Sequence, residues 1–72
     1  MSAVDLLKRA AECERLMDGE PDDVRKIAFR LIRDIWIALA NECASMKVEE
    51  LAQEVAAISQ IQLGLVGNGK TP

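Results

Sequence analysis

The chain has 72 residues, of which 50% are hydrophobic and 29% are charged, and its formal net charge is -3. A chain of this length forms one domain with a small core, and such domains usually gain stability from disulfides, a bound metal or a partner subunit. No histidine is present, which removes the usual ligands of zinc and di-metal sites. No segment is rich in Lys and Arg, so the composition predicts no nucleic-acid partner.

The segment from Met1 to Ala10 mixes acidic and basic residues and lacks the apolar stretch of a secretory signal peptide. The longest apolar run, from Ile35 to Ala40, is far shorter than the roughly 20 residues that a membrane-spanning helix needs. We therefore expect a cytoplasmic protein without a membrane segment.

The first predicted element is a helix over about residues 3 to 18. Ser2 followed by Asp5 resembles a capping box, and no Pro or Gly interrupts the chain before Gly19. Apolar residues recur at spacings of three and four and form one stripe: Ala3, Leu6, Leu7, Ala10, Cys13, Leu16 and Met17.

The second predicted helix begins at Pro21, after a short turn. Gly19 can adopt the left-handed conformation that closes a helix, and Pro21 suits the first helical position because its missing N–H would be unpaired there. Asp22 and Asp23 then place negative charge in the first turn, where it complements the helix dipole.

Helix two carries two apolar stripes, both with helical spacing. The first stripe comprises Val24, Ile27, Ala28, Leu31, Ile35 and Ala38. The second comprises Phe29, Ile32, Trp36, Leu39 and Cys43. Two stripes make most of the circumference apolar, which predicts a helix that is buried on several sides.

The end of helix two is harder to place because no Gly or Pro occurs between Asp22 and Ile61. We predict a turn at about residues 44 to 46, with Ser45 capping a third helix over about 46 to 63. The inward positions of that helix are Val48, Leu51, Ala52, Val55, Ile58 and Gln62. The alternative is one continuous helix of roughly 40 residues, about 60 Å long, which would have to dimerise.

The segment after residue 63 contains several helix breakers, which predicts a single helical domain over residues 1 to 63 and a disordered tail over 64 to 72. The predicted fold is all-α, an antiparallel three-helix up-down-up bundle. Antiparallel pairing lets helix one cover about residues 22 to 37 of helix two, and helix three about 27 to 42. Because these ranges overlap, we expect helix two to be central.

The two cysteines do not pair in this fold. Cys13 and Cys43 would lie roughly 24 Å apart along the bundle, and a disulfide needs Cα atoms within about 7 Å. Cys13 shares the apolar stripe of helix one, so we expect a small buried side chain. Cys43 lies near a helix end, and a redox switch there stays open as a hypothesis.

No signature of catalysis is visible. The chain has no histidine to activate a thiol or hydroxyl and no Gly-rich phosphate loop, so we expect neither an enzyme nor a bound cofactor or small-molecule substrate. Lys26, Arg30 and Arg33 share one face of helix two. Asp22 and Asp34 are spaced to pair with Lys26 and Arg30, which is typical of a solvated helix face.

The predicted function is that of a helical interaction module that forms homo-oligomers. The alternative is a small regulator that docks onto another protein by helix-in-groove packing. Aromatic anchors often dominate interface energy, and Ile37 could extend an apolar patch beside Trp36. The candidate interface comprises Phe29, Ile32, Trp36, Ile37, Leu39, Ala40 and Cys43.

The segment from Arg9 to Leu16 has the pattern Arg-Ala-x-Glu-Cys-x-x-Leu. An acidic turn at Asp22 or Asp23, an Arg and a Trp-x-x-Leu-Ala sequence follow it. This combination resembles that of short bacterial proteins with no characterised activity, over about residues 8 to 43. The resemblance implies a helical hairpin and no particular reaction. Its later positions are Arg25, Trp36, Leu39 and Ala40.

Overall fold

A computed structural model describes residues 1–68 and contains three helices within that range. They are α1 (Ala3–Asp18), α2 (Asp23–Glu42) and α3 (Val48–Asn68), and a 3-10 turn (Cys43–Ser45) separates α2 from α3. The helices run up, down and up, because α2 packs antiparallel to both α1 and α3. The predicted all-α bundle is confirmed, and the continuous long helix is not formed.

The start of α1 agrees with the prediction. The Ser2 hydroxyl accepts a hydrogen bond from the Asp5 backbone N–H at 3.3 Å, and the Asp5 carboxylate accepts one from the Ser2 N–H at 3.2 Å. These hydrogen bonds, the backbone one first, lower the pKa of Asp5 below its ordinary value. Two otherwise unpaired N–H groups are thereby satisfied at the helix end.

The turn between α1 and α2 differs from the prediction in two ways. Gly19 is not left-handed, since its φ is -93° and its N–H donates to the Arg15 carbonyl at 3.4 Å. Helix α2 begins at Asp23 rather than at Pro21, because the Asp22 carboxylate caps the helix by accepting from the Arg25 N–H at 2.9 Å. Pro21 therefore lies outside the helix.

The turn between α2 and α3 lies within two residues of the predicted position. The Met46 N–H donates to the Cys43 carbonyl at 3.3 Å, and Met46 is extended. Ser45 does not cap α3, because its hydroxyl donates back to the Glu42 carbonyl at 2.9 Å. The Lys47 N–H instead donates to the Glu50 carboxylate at 3.3 Å, which is half of a capping box.

Helix α3 continues past Gly64, so the predicted tail is wrong for residues 64 to 68; residues 69 to 72 lie outside the described part of the chain. Tertiary contacts hold this last turn. Leu65 and Val66 are half-buried, and the Arg25 guanidinium donates to the Leu65 carbonyl. Arg25 also pairs with the Glu20 carboxylate at 3.0 Å. Arg25 therefore joins the turn between α1 and α2 to the end of α3.

The core forms on one side of α2 only. Helix α3 lies beside α1 over the same side of α2, as shown by the hydrogen bond from Arg9 to the Ser59 hydroxyl at 3.2 Å. Helix α2 contacts both α1 and α3, as predicted, whereas the expectation that it is buried on several sides is wrong. The buried residues of the core are Leu6, Ala10, Cys13, Phe29, Ile32, Trp36, Leu39, Ala40, Leu51 and Ile58.

The helical state of the last turn of α3 gives the first prediction. A Cβ added at Gly64 would meet no atom within 4 Å. Gly64→Ala should therefore raise the free energy of unfolding by about 1 kcal/mol, since Gly is less favourable than Ala inside a helix by about that amount. Ala57→Gly, at an exposed position of the same helix, should lower it similarly in urea unfolding. An unchanged free energy of unfolding in Gly64→Ala would contradict the extension of α3 past Gly64.

Candidate functional site

The structure places the predicted interface residues inside the chain. Five of the seven are buried, and the other two are half-buried against the same core. Apart from Cys43, their side chains are occupied by contacts within one molecule, so they do not form a surface that a partner can reach. The buried five are Phe29, Ile32, Trp36, Leu39 and Ala40, and the half-buried two are Ile37 and Cys43.

The Trp36 side chain has its polar edge satisfied internally. Its indole N–H donates to the Gln62 side-chain oxygen at 3.0 Å, and the Arg9 guanidinium lies over the ring, 5.1 Å from the centroid. Such a cation over an aromatic face adds electrostatic attraction to the packing. Trp36 is thus an anchor of the monomer core, which it shares with α1 and α3.

The same Gln62 oxygen serves a second buried donor. The Cys13 thiol donates to it at 3.5 Å. Burial, and next the charge of Glu12, raise the pKa of the Cys13 thiol above its ordinary value. One amide on α3 therefore contacts both α1 and α2, and it satisfies polar groups that would otherwise be buried without a partner.

The Gln62 contact gives the second prediction. Gln62→Met keeps the approximate volume but removes the acceptor, so it should lower the free energy of unfolding by about 1 to 3 kcal/mol, because the Trp36 N–H is left unsatisfied. Gln60 is exposed on the same helix, and Gln60→Met should change stability by no more than about 0.5 kcal/mol. If Gln62→Met and Gln60→Met lowered the free energy of unfolding in urea equally, the hydrogen bond to Trp36 would contribute nothing to stability.

Cys43 differs from Cys13 in its exposure. Both thiols are free, as expected, and the half-buried Cys43 thiol donates to the Ala40 carbonyl at 3.5 Å. Cys43 also lines an open apolar groove of about 440 Å³ together with Met46, Leu51 and Val55.

Thiol labelling gives the third prediction. In the native protein a thiol reagent should modify Cys43 and spare Cys13, because Cys13 is fully buried and its raised pKa disfavours the reactive thiolate. Cys43→Ser should leave the native chain unlabelled, whereas the same variant in denaturant should react once. Rapid native labelling of Cys43→Ser would contradict the placement of Cys13.

The exposed apolar surface of α2 is the first stripe without the half-buried Ala28, and we call it the outer face. It consists of Val24, Ile27, Leu31, Ile35 and Ala38. The four large side chains are 73%, 49%, 55% and 42% exposed, in chain order. The stripe points away from the core because its centre, Leu31, lies roughly 100° to 160° around the helix from the inward-facing Ile32, Trp36 and Phe29. Contiguous apolar surface of this kind marks interaction sites.

Asp34 and Arg30 border the outer face along one edge, roughly 60° and 100° around the helix from Leu31, and Lys26 and Arg33 lie further round towards α1. Arg33 pairs with Asp34 at 2.9 Å and with Glu14 of α1 at 3.4 Å. Lys26 and Arg30 make no ion pair with any residue from 1 to 68. The predicted pairs of Lys26 with Asp22 and of Arg30 with Asp34 are therefore not formed, since Asp22 caps the helix and Asp34 binds its neighbour.

The described residues contain no group of three or more His, Cys, Asp or Glu side chains placed to hold a metal ion. Within the same range, no helix is both long enough and apolar enough to cross a membrane. Comparisons of the chain with protein-family models, curated proteins and solved structures found no match. What the outer face offers is apolar area with charges at its rim, which is the chemistry of a binding surface.

Proposed function

We propose that the protein is a non-enzymatic helical module that associates with itself by burying the outer face of α2 against a second copy. The observation that carries this proposal is the exposure of four large aliphatic side chains in helical register: Val24, Ile27, Leu31 and Ile35. Helices in a small bundle normally direct such a stripe towards the core. Here a different stripe fills the core, and the outer face has no cover within residues 1 to 68.

The expected strength of association follows from the number of these side chains. Two copies of the outer face bring together eight large side chains, and each partly exposed one contributes about 1 kcal/mol when it is buried. A micromolar dissociation constant corresponds to about 8 kcal/mol. Association also costs translational and rotational freedom. Because that cost of about 4 kcal/mol or more is subtracted from the gain, we expect a weak, reversible dimer whose population rises towards millimolar concentration.

An amphipathic helix from another protein could occupy the same face, as in a small regulator that docks by helix-in-groove packing. The charges at the rim favour a second copy, because the edge that carries the cation Arg30 also carries Asp34. A chain that stays strictly monomeric up to millimolar concentration would overturn self-association and leave the docking alternative.

Leu31 lies at the middle of the outer face, and its replacement gives the fourth prediction. Leu31→Lys should shift the mass measured by sedimentation towards that of the monomer at every concentration, since a charge must be desolvated in the interface. Leu63→Lys is the matched control, because Leu63 is exposed on α3 at 67% and lies outside the outer face. Equal loss of mass in both variants would contradict the assignment of this surface.

A further inference from the structure

The spacing of the outer face is symmetric about Leu31. Ile27 and Ile35 lie four residues before and after it, and Val24 and Ala38 lie seven residues before and after it. In a two-fold symmetric pair of antiparallel helices that cross at one residue, positions equally far before and after the crossing meet each other. Two outer faces crossing at Leu31 therefore place Leu31 against Leu31, Ile27 against Ile35, and Val24 against Ala38.

The charges at the rim fit the same arrangement. At an antiparallel crossing on Leu31, Asp34 of one copy lies level with position 28 of the second copy. Arg30, which lies on the same edge and makes no ion pair within residues 1 to 68, is two residues from that level. The two-fold axis brings like edges together, so each Asp34 approaches Arg30 of the second copy.

A parallel pairing lacks this complementarity. The two-fold axis would then run along the helices, and the charged edge of each copy would meet the opposite edge of the second copy. Between Val24 and Ala38 that opposite edge carries Ala28 and no charged residue within about 100° of Leu31. The two Ala38 side chains would also lie level at one end and leave a gap there, whereas the antiparallel pair sets Val24 opposite each Ala38. Opposite charges at the rim and filled volume along the whole contact distinguish a specific interface from an apolar patch.

From this symmetry we infer that the occupant of the outer face is a second copy of the same chain, held as an antiparallel α2–α2 pair that crosses at Leu31 with Asp34 opposite Arg30. The inference rests on the proposed self-association and adds its geometry. The contact runs from Val24 to Ala38, about 21 Å along the helix.

Disulfide trapping tests this geometry. Cys43 is replaced by Ser, buried Cys13 is kept, and either Val24→Cys or Ala38→Cys is added. Each variant and an equal mixture of the two is equilibrated in a glutathione redox buffer. The antiparallel pair predicts that the mixture forms a mixed disulfide dimer while neither variant links to itself, because only residues 24 and 38 come within the Cα separation of about 7 Å that a disulfide requires.

Sedimentation of the same variants under reducing conditions separates the outcomes. Self-linking of Val24→Cys with a dimeric mass would overturn the antiparallel geometry and leave self-association standing. A dimeric mass with no disulfide in any sample would place the interface elsewhere and overturn the inference. A monomeric mass for the wild-type chain and all variants would overturn both the geometry and the proposed function.

Charge reversal provides a second measurement on the rim. Arg30→Glu and Asp34→Arg should each weaken the homodimer, with a dissociation constant raised about tenfold, because the two-fold axis repeats every lost contact. An equimolar mixture of the two variants should recover the wild-type dissociation constant. In the mixed pair, one of the two contacts between positions 30 and 34 has its charges exchanged and the other keeps the native residues. Unchanged dissociation constants in both variants would remove Asp34 from the interface.

Discussion

The hydrogen bond from the Trp36 indole to the Gln62 amide fixes the side of α2 on which the third helix lies, together with the burial of Leu51 and Ile58. A buried indole N–H needs an acceptor, and an unsatisfied one costs about 1 to 3 kcal/mol. Gln62 supplies that acceptor at 3.0 Å and also accepts from Cys13, so α3 is held over the side of α2 that already faces α1. Because α3 is held there, it cannot also cover the opposite side, and the outer face is left exposed.

Local features of the fold could be predicted from the sequence, whereas features that depend on distant contacts could not. The Ser2 and Asp5 capping box and the bounds of α1 are set by residues a few positions apart, and both predictions are confirmed. The end of α3 depends on Arg25, which is 40 positions from the Leu65 carbonyl that it binds. Propensity alone ends a helix at Gly64, and tertiary contacts override it here.

The candidate site shows the same limit more sharply. Both stripes of α2 have helical periodicity, and periodicity does not say which of two stripes faces inwards. The aromatic stripe is the natural choice for an interface because aromatic residues anchor interfaces, but large aromatic side chains also dominate cores. The discriminating signal is Gln62, a polar residue at an inward position of helix three that must meet a polar partner, and the chain has a single indole.

The division of α2 into two stripes has a thermodynamic consequence. The second stripe of α2, with Trp36 at its centre, packs in the core and determines whether one chain folds. The stability of one chain does not account for the aliphatic residues around Leu31 on the outer face. If a second copy covers the outer face, only the folded chain can bind it, and association then stabilises the fold by mass action. A domain with a core this small gains more from such coupling than a large domain does, because its own margin of stability is thin. The symmetric spacing about Leu31 allows one helix to supply both halves of that contact.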